Sequence, residues 1–247
     1  MSAADPIAGW AGPTRTATPE HSLPARLLDQ LGVDVDGNGV VLGRDRRGRP
    51  VRLRVFAPRP VEIALVGPWW AAQILVLRCL AHGAVVAVEA VDTPVPEHAG
   101  TAVSLASWLA LDRAAGGVTS RVLRRPADLT AWPASASTPL LAVHDVGPAG
   151  TNRPPPPRPW QARLTVHRTL SAAAIPTLVS ADAVLVHRLD AADAALLGSA
   201  LTLDPRVLSH FPLMSDDMVV ALEGAYFRYV GFTPTSVERH LLTYGRG

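Results

Sequence analysis

The residues best placed to hold a phosphate are those of the turn Val66-Gly67-Pro68-Trp69-Trp70, where an apolar run gives way to a helical pattern. A phosphate-cradling loop needs successive backbone N–H groups in a glycine nest, a lysine for the outer phosphates and a Ser or Thr for magnesium. A dinucleotide loop needs three spaced glycines. This turn offers a single glycine, then Pro68, which removes an N–H donor, then two indoles. Phosphate binding is not expected at such a loop. Trp69 and Trp70 read instead as a packing anchor or as part of a partner surface. Lysine is absent altogether, so all 23 basic residues are arginine. That excludes a Schiff base, a phosphate-loop lysine and an ammonium general base.

A second candidate is Asp145, which ends the apolar run Leu140-Leu141-Ala142-Val143-His144 in a carboxylate. A metal–phosphate is held from such a position, but with no partner loop Asp145 reads as a polar residue capping a strand end. His144 and Asp145, being adjacent, point to opposite faces of a strand and cannot form a dyad with each other. The eight histidines show no i,i+4 pair and no HExxH spacing, so no metal site is expected. His187 lies in an apolar run and reads as a core histidine. Asp216-Asp217 reads as a turn, and Ser180, Ser199 and Ser209 have no nucleophile-elbow context. Cys79, the one cysteine, sits in the apolar run Leu75–Leu80 and reads as a buried thiol, which excludes an intrachain disulfide and fits a reducing compartment. No catalytic, cofactor-binding or metal-binding residue is expected from these patterns, and the chain is expected not to be an enzyme.

The remaining sharp feature is a run of arginines, Arg44, Arg46, Arg47, Arg49, Arg52 and Arg54. On a strand Arg52 and Arg54 share a face. They read as a solvated face or as a docking site for an acidic protein or anionic headgroups, with Arg47, Arg49, Arg52 and Arg54 as candidate contacts.

The elements that must position these residues follow from the patterning. Residues 1–22 read as a disordered tail rich in Pro, Thr, Ala and Gly, and 23–247 as a single α/β domain. A helix is expected over Pro24–Leu31, then a hairpin through Val33–Arg47 into Val51–Phe56, with turn signals at Asp36–Gly39 and Arg47-Gly48. Val61–Val66 and Ala84–Val91, apolar throughout and separated by a helix over Trp69–His82, demand a crossover in a parallel sheet. Thr101–Ala115 reads as the next helix. Further strands are expected at Val118–Arg125, Pro139–Val146, Gln161–Leu170 and Ala183–Leu189, and 147–160 as a Pro-rich loop. Asp190 caps a helix over Ala191–Leu201. A helical turn at Pro205–His210, a hairpin Met218–Leu222/Tyr226–Phe232 and a helix Pro234–Leu242 complete the chain. The expected fold is a mostly parallel Rossmann-like, degenerate nucleotide-fold sheet, with an N-terminal β-hairpin extension and a C-terminal β-hairpin plus helix.

Composition narrows the partners. With 48% hydrophobic and 18% charged residues the chain is globular, and a net charge of +2 is too mild to argue for nucleic acid. The most apolar region, Val61–Val91, is interrupted by Gly67-Pro68, Gln73, Arg78 and His82-Gly83, short of the ~20 residues a spanning helix needs. The N-terminal residues lack the pattern of a secretory leader. A cytoplasmic location, peripheral at the inner membrane, is expected.

Several segments in order resemble a known family: Val61-Glu-Ile-Ala-Leu-Val-Gly67-Pro-Trp-Trp70, Arg78–Val88, Ala183–Leu189, Ala192–Leu197, Asp216–Leu222 and Thr235–Leu242. Together they resemble the soluble domain of the E component (EccE-like) of actinobacterial ESX, or type VII, secretion systems, over about residues 35 to 242. The resemblance implies an accessory or core-like component acting through protein contacts with membrane-bound secretion proteins, without catalytic residues of its own. The alternative reading is a nucleotide- or small-ligand-binding α/β enzyme or sensor that uses the crevice at the strand carboxyl ends.

Overall fold

The computed structural model describes residues 39–90, Trp108, 122–124, 132–145, 157–224 and 226–244. In chain order the elements are β1 Val40–Arg44, β2 Pro50–Leu53, β3 Val61–Val66, α1 Trp69–Ala81, β4 Val85–Ala90, β5 Val122–Arg124, β6 Leu140–Asp145, β7 Gln161–His167, α2 Ile175–Ser180, β8 Ala183–Val186, α3 Ala191–Leu201, α4 Pro205–Leu208, β9 Met218–Glu223, β10 Tyr226–Gly231 and α5 Ser236–Tyr244. The tail, the helix expected at Pro24–Leu31, the helix expected at Thr101–Ala115 apart from Trp108, and most of the Pro-rich loop lie outside the described residues.

Among the described residues, ten strands form one sheet in the order β2-β1-β10-β9-β8-β3-β7-β6-β4-β5. The stretch from β8 to β5 is parallel. From β8 outward the pairing turns antiparallel through β9, β10, β1 and β2. This is the expected α/β architecture with a hairpin near each end. Two relations add to the sequence reading. The hairpins are not separate extensions, because β1 pairs with β10 through Arg44 and Gly231 and the two make one antiparallel wing. And β3 and β4 are parallel but not neighbours, since β7 and β6 lie between them.

Strands with apolar residues at every position are dictated by a sheet covered on both faces. Val61, Ile63 and Leu65 of β3 enter one core with Ile74, Leu75 and Cys79 of α1. Ala64 and Val66 enter the other with Leu178 of α2 and Leu197 of α3. Burying each such aliphatic side chain contributes roughly 1.5–3 kcal/mol. β7 sits between β3 and β6, so its alternation does not give a solvated face: Arg163 is buried and paired with Glu62 of β3 at 2.8 Å. Helix α2, not foreseen, begins with Pro176 in its first turn, where a missing N–H costs little. Asp190 caps α3 as expected, accepting from the Asp193 N–H at 2.8 Å.

One side chain fastens the wing and the last helix to α1. The Arg78 guanidinium binds Glu238 of α5 through Nε at 2.6 Å and Nη2 at 3.0 Å. It also donates to the carbonyls of Val41 at 3.1 Å and Thr233 at 3.2 Å, and to that of Leu42, and it lies over the Phe232 ring, 5.1 Å from the centroid. Glu238 in turn closes a capping box: its carboxylate accepts from the Thr235 N–H at 2.7 Å while the Thr235 hydroxyl accepts from the Glu238 N–H. No helix among the described residues is long and apolar enough to cross a membrane.

Candidate functional site

Topology decides where a crevice can open. From β3 the chain passes through α1 to β4, on the β7 side of β3; from β7 it passes through α2 to β8, on the opposite side. The two helices cover opposite faces. Adjacent strands whose connections leave in opposite directions define the switch point beyond whose carboxyl ends open α/β sheets bind ligands. Here that point lies between β3 and β7. The Gly67 N–H donates to the His167 carbonyl at 2.9 Å and the His187 N–H to the Val66 carbonyl at 2.8 Å, tying the ends of β7, β3 and β8 together. A Cβ at Gly67 would stand 2.7 Å from the His187 Cβ. This glycine therefore permits close strand packing, a role the phosphate-loop comparison had not suggested.

The tryptophans after Gly67 are both half-buried. Trp69 meets Trp108 edge to face at 6.0 Å, and Trp70 meets His187 at 5.8 Å and Phe232 at 5.9 Å. His187 thus lies just past β8, beside an indole, rather than inside the strand; its Nε2 is 3.0 Å from the Asp216 carbonyl. Trp108 continues the chain of contacts by donating its Nε1–H to Asp145 Oδ2 at 3.0 Å.

Asp145 is the centre of the site. It ends β6 with 0% exposure, and the same Oδ2 takes Nη2 of Arg168 at 2.6 Å. Arg168 follows directly on β7, and only 5% of its side chain is exposed. Burial pushes its pKa down while Asp145 pushes it back up, and a guanidinium remains charged through both. Nε and Nη1 of Arg168 are buried with no hydrogen-bond partner, as are Trp69 Nε1 and, one helical turn further along α1, Gln73 Nε2. An unpaired buried donor costs about 1–3 kcal/mol, more when charged. Arg168 thus keeps two donor nitrogens unpaired at the switch point.

His144, as its position beside Asp145 requires, faces the other way. Its Nδ1 lies 2.6 Å from Glu89 Oε2 on the neighbouring strand β4. His167 is on that second face too, and burial lowers its pKa and keeps the ring neutral. Burial likewise pushes the Cys79 thiol up, so it is inert, as expected. Among the described residues no group of three or more His, Cys, Asp or Glu could hold a metal ion.

The arginine hairpin is far in sheet order from this crevice. Arg47, Arg49, Arg52 and Arg54 are all exposed, Arg52 on the edge strand β2 and Arg54 directly after it. Arg49 pairs with Asp45 at 2.7 Å. Charge on an edge strand also discourages pairing with another sheet. Sequence reasoning missed Arg168, Trp108 and Gln73. The available signal was an arginine just beyond one strand and an aspartate ending the preceding one; that these strands are neighbours is a three-dimensional fact.

No family model and no curated protein matches the sequence. Among solved structures, VirB4 of Thermoanaerobacter pseudethanolicus is similar with a TM-score of 0.53 at 11% identity, over 83% of this chain and 98% of that one. This likeness shows the fold. B204, the DNA-packaging ATPase from Sulfolobus Turreted Icosahedral Virus, aligns at TM-score 0.45 and 6% identity, over 72% of this chain and 98% of its own. The cytoplasmic domain of the Thermomonospora curvata type VII secretion ATPase EccC aligns at TM-score 0.39 and 12% identity, over 81% of this chain and 30% of that one. The expectation that the chain is not an enzyme is corrected here: the similar structures include chains described as NTPases.

Proposed function

We propose that this protein binds a nucleotide in the crevice beyond the carboxyl ends of β3, β7 and β6. The observation that carries the reading is the buried Arg168, placed at the switch point with two donor nitrogens unpartnered. A phosphate group is the acceptor-only anion that such donors suit. The fold shared with VirB4 supports the same crevice. A thermal-shift series with ATP, ADP, GTP and GDP tests it. A nucleotide at 100 times its dissociation constant stabilises by about 2.7 kcal/mol; no shift with any of the four rejects the reading.

A second reading concerns the setting. The ordered resemblance to the soluble domain of the E component supports a place beside membrane-bound type VII secretion proteins, with contacts through the exposed Arg47, Arg52 and Arg54. Affinity purification from an ESX-bearing actinobacterium should recover secretion components, in a complex that weakens with salt. Recovery of none, or identical recovery by the Arg52→Ala/Arg54→Ala variant, counts against it.

A further inference from the structure

We propose that Arg168 stands where a divalent cation would otherwise serve, so that the nucleoside phosphate bound in this crevice is taken up free of metal. The inference rests on the nucleotide reading above and specifies the form of its ligand. Bound phosphates need positive charge, which proteins supply from lysine, from a cation held by a carboxylate, or from arginine. Lysine is excluded by the sequence. The carboxylate at the strand end is Asp145, and its Oδ2 already accepts from Arg168 Nη2 at 2.6 Å and Trp108 Nε1 at 3.0 Å in a site with no solvent exposure. Magnesium demands near-octahedral oxygen ligands and keeps several of its waters. Asp145 Oδ2, buried and shared by an indole and a guanidinium, is not open to that hydrated ion. Arginine remains as a source, and among the described residues Arg168 is buried directly after β7 at the switch point.

The unpartnered atoms of Arg168 point the same way. Its Nε and Nη1 are donors and cannot accept. A metal–nucleotide complex presents phosphate oxygens already engaged by the ion. A metal-free phosphate presents them open to N–H groups, which is what Arg168 offers. Asp145 then acts as a positioning residue, fixing the guanidinium plane without touching the ligand. Pro68, which deprives the loop of one N–H, is tolerable where side chains rather than backbone supply the donors.

The test is calorimetric titration of the full chain with ATP and with ADP, in excess magnesium chloride and in excess EDTA. Magnesium in excess engages the phosphate oxygens, so binding about tenfold or more tighter in EDTA than in magnesium is expected. Equal affinity in both media, or binding that weakens in EDTA, overturns the inference and leaves the nucleotide reading standing. No binding in either medium overturns both. Arg168→Lys keeps the positive charge against Asp145 but removes the planar set of donors, and is expected to lose about tenfold in EDTA. Unchanged affinity in that variant, with an unchanged far-UV circular dichroism spectrum, overturns the role given to Arg168.

Discussion

Arg78 and Arg168 each bring a largely buried guanidinium to a carboxylate, yet their remaining donors are treated oppositely. Arg78 spends every nitrogen: Nε and Nη2 bind Glu238, Nη2 also donates to the Thr233 carbonyl, Nη1 donates to those of Val41 and Leu42, and Phe232 covers the plane. Arg168 has the same chemistry and a drier site, but Asp145 engages one nitrogen and Nε and Nη1 are left over. A structural guanidinium is used up by the fold. In the role proposed for Arg168, a guanidinium reserved for a ligand is held by a single partner and otherwise kept unsatisfied. The difference separates the clamp of the wing from the crevice at the switch point.

Substitutions can break or sharpen that contrast. The largest effect is expected from Arg78→Ala, which strands Glu238 and unties α5 from α1 and β1; unfolding in denaturant should show a loss of about 3 kcal/mol. Lysine at the same position keeps the charge but forfeits several directed bonds, and should cost about 2 kcal/mol with nucleotide affinity unchanged. The reverse is expected for Arg168→Lys, which keeps the charge beside Asp145 and forfeits one directed bond: a stability change of about 1 kcal/mol with the affinity loss described above. If the two lysine variants gave the same pair of readouts, the contrast would be void.

Acid sensitivity sharpens it further. Burial raises the Glu238 carboxyl, and the bonds from Arg78 and Thr235 more than offset this, leaving it below its ordinary value. A carboxyl depressed in the folded state stabilises fully above its unfolded value, and that contribution fades as the pH falls through the folded one. Wild type should therefore lose stability on the acid side of the ordinary glutamate range, and Glu238→Gln should flatten that limb. Parallel acid curves for the two proteins would show the clamp to be uncharged in effect. The smallest change is expected from Thr235→Ala, which removes one arm of the capping box and costs about 1 kcal/mol in the same unfolding measurement.

Local features of the molecule were legible in its residues. β3 and α3 have the bounds that the unbroken aliphatic run and the Asp190 cap dictate, and the turn at Gly48, with φ 75°, joins β1 to β2. Short-range physics governs each of these. The switch point was not legible, because it depends on β7 inserting between β3 and β6, and parallel neighbours leave no mark on spacing. For the same reason Asp145 looked like a strand end without a purpose: its partner Arg168 comes from another strand and Trp108 from a distant segment. The loop at Gly67 was read by what it lacks. The donors at this crevice are side chains, which no glycine pattern reports.

The seating of β1 on β10 has a consequence in time. Arg44 is made early and must find Gly231, near the far end of the described chain. Pairings so distant in sequence form slowly, because the loop between them must close first. During synthesis the N-terminal hairpin leaves the ribosome with one edge open and stays so until β10 emerges. The parallel strands can assemble in order behind it, whereas the wing is completed last. Charged β2, with Pro50 and the exposed Arg52 and Arg54, then guards the outer side of a hairpin that waits longest for its partner.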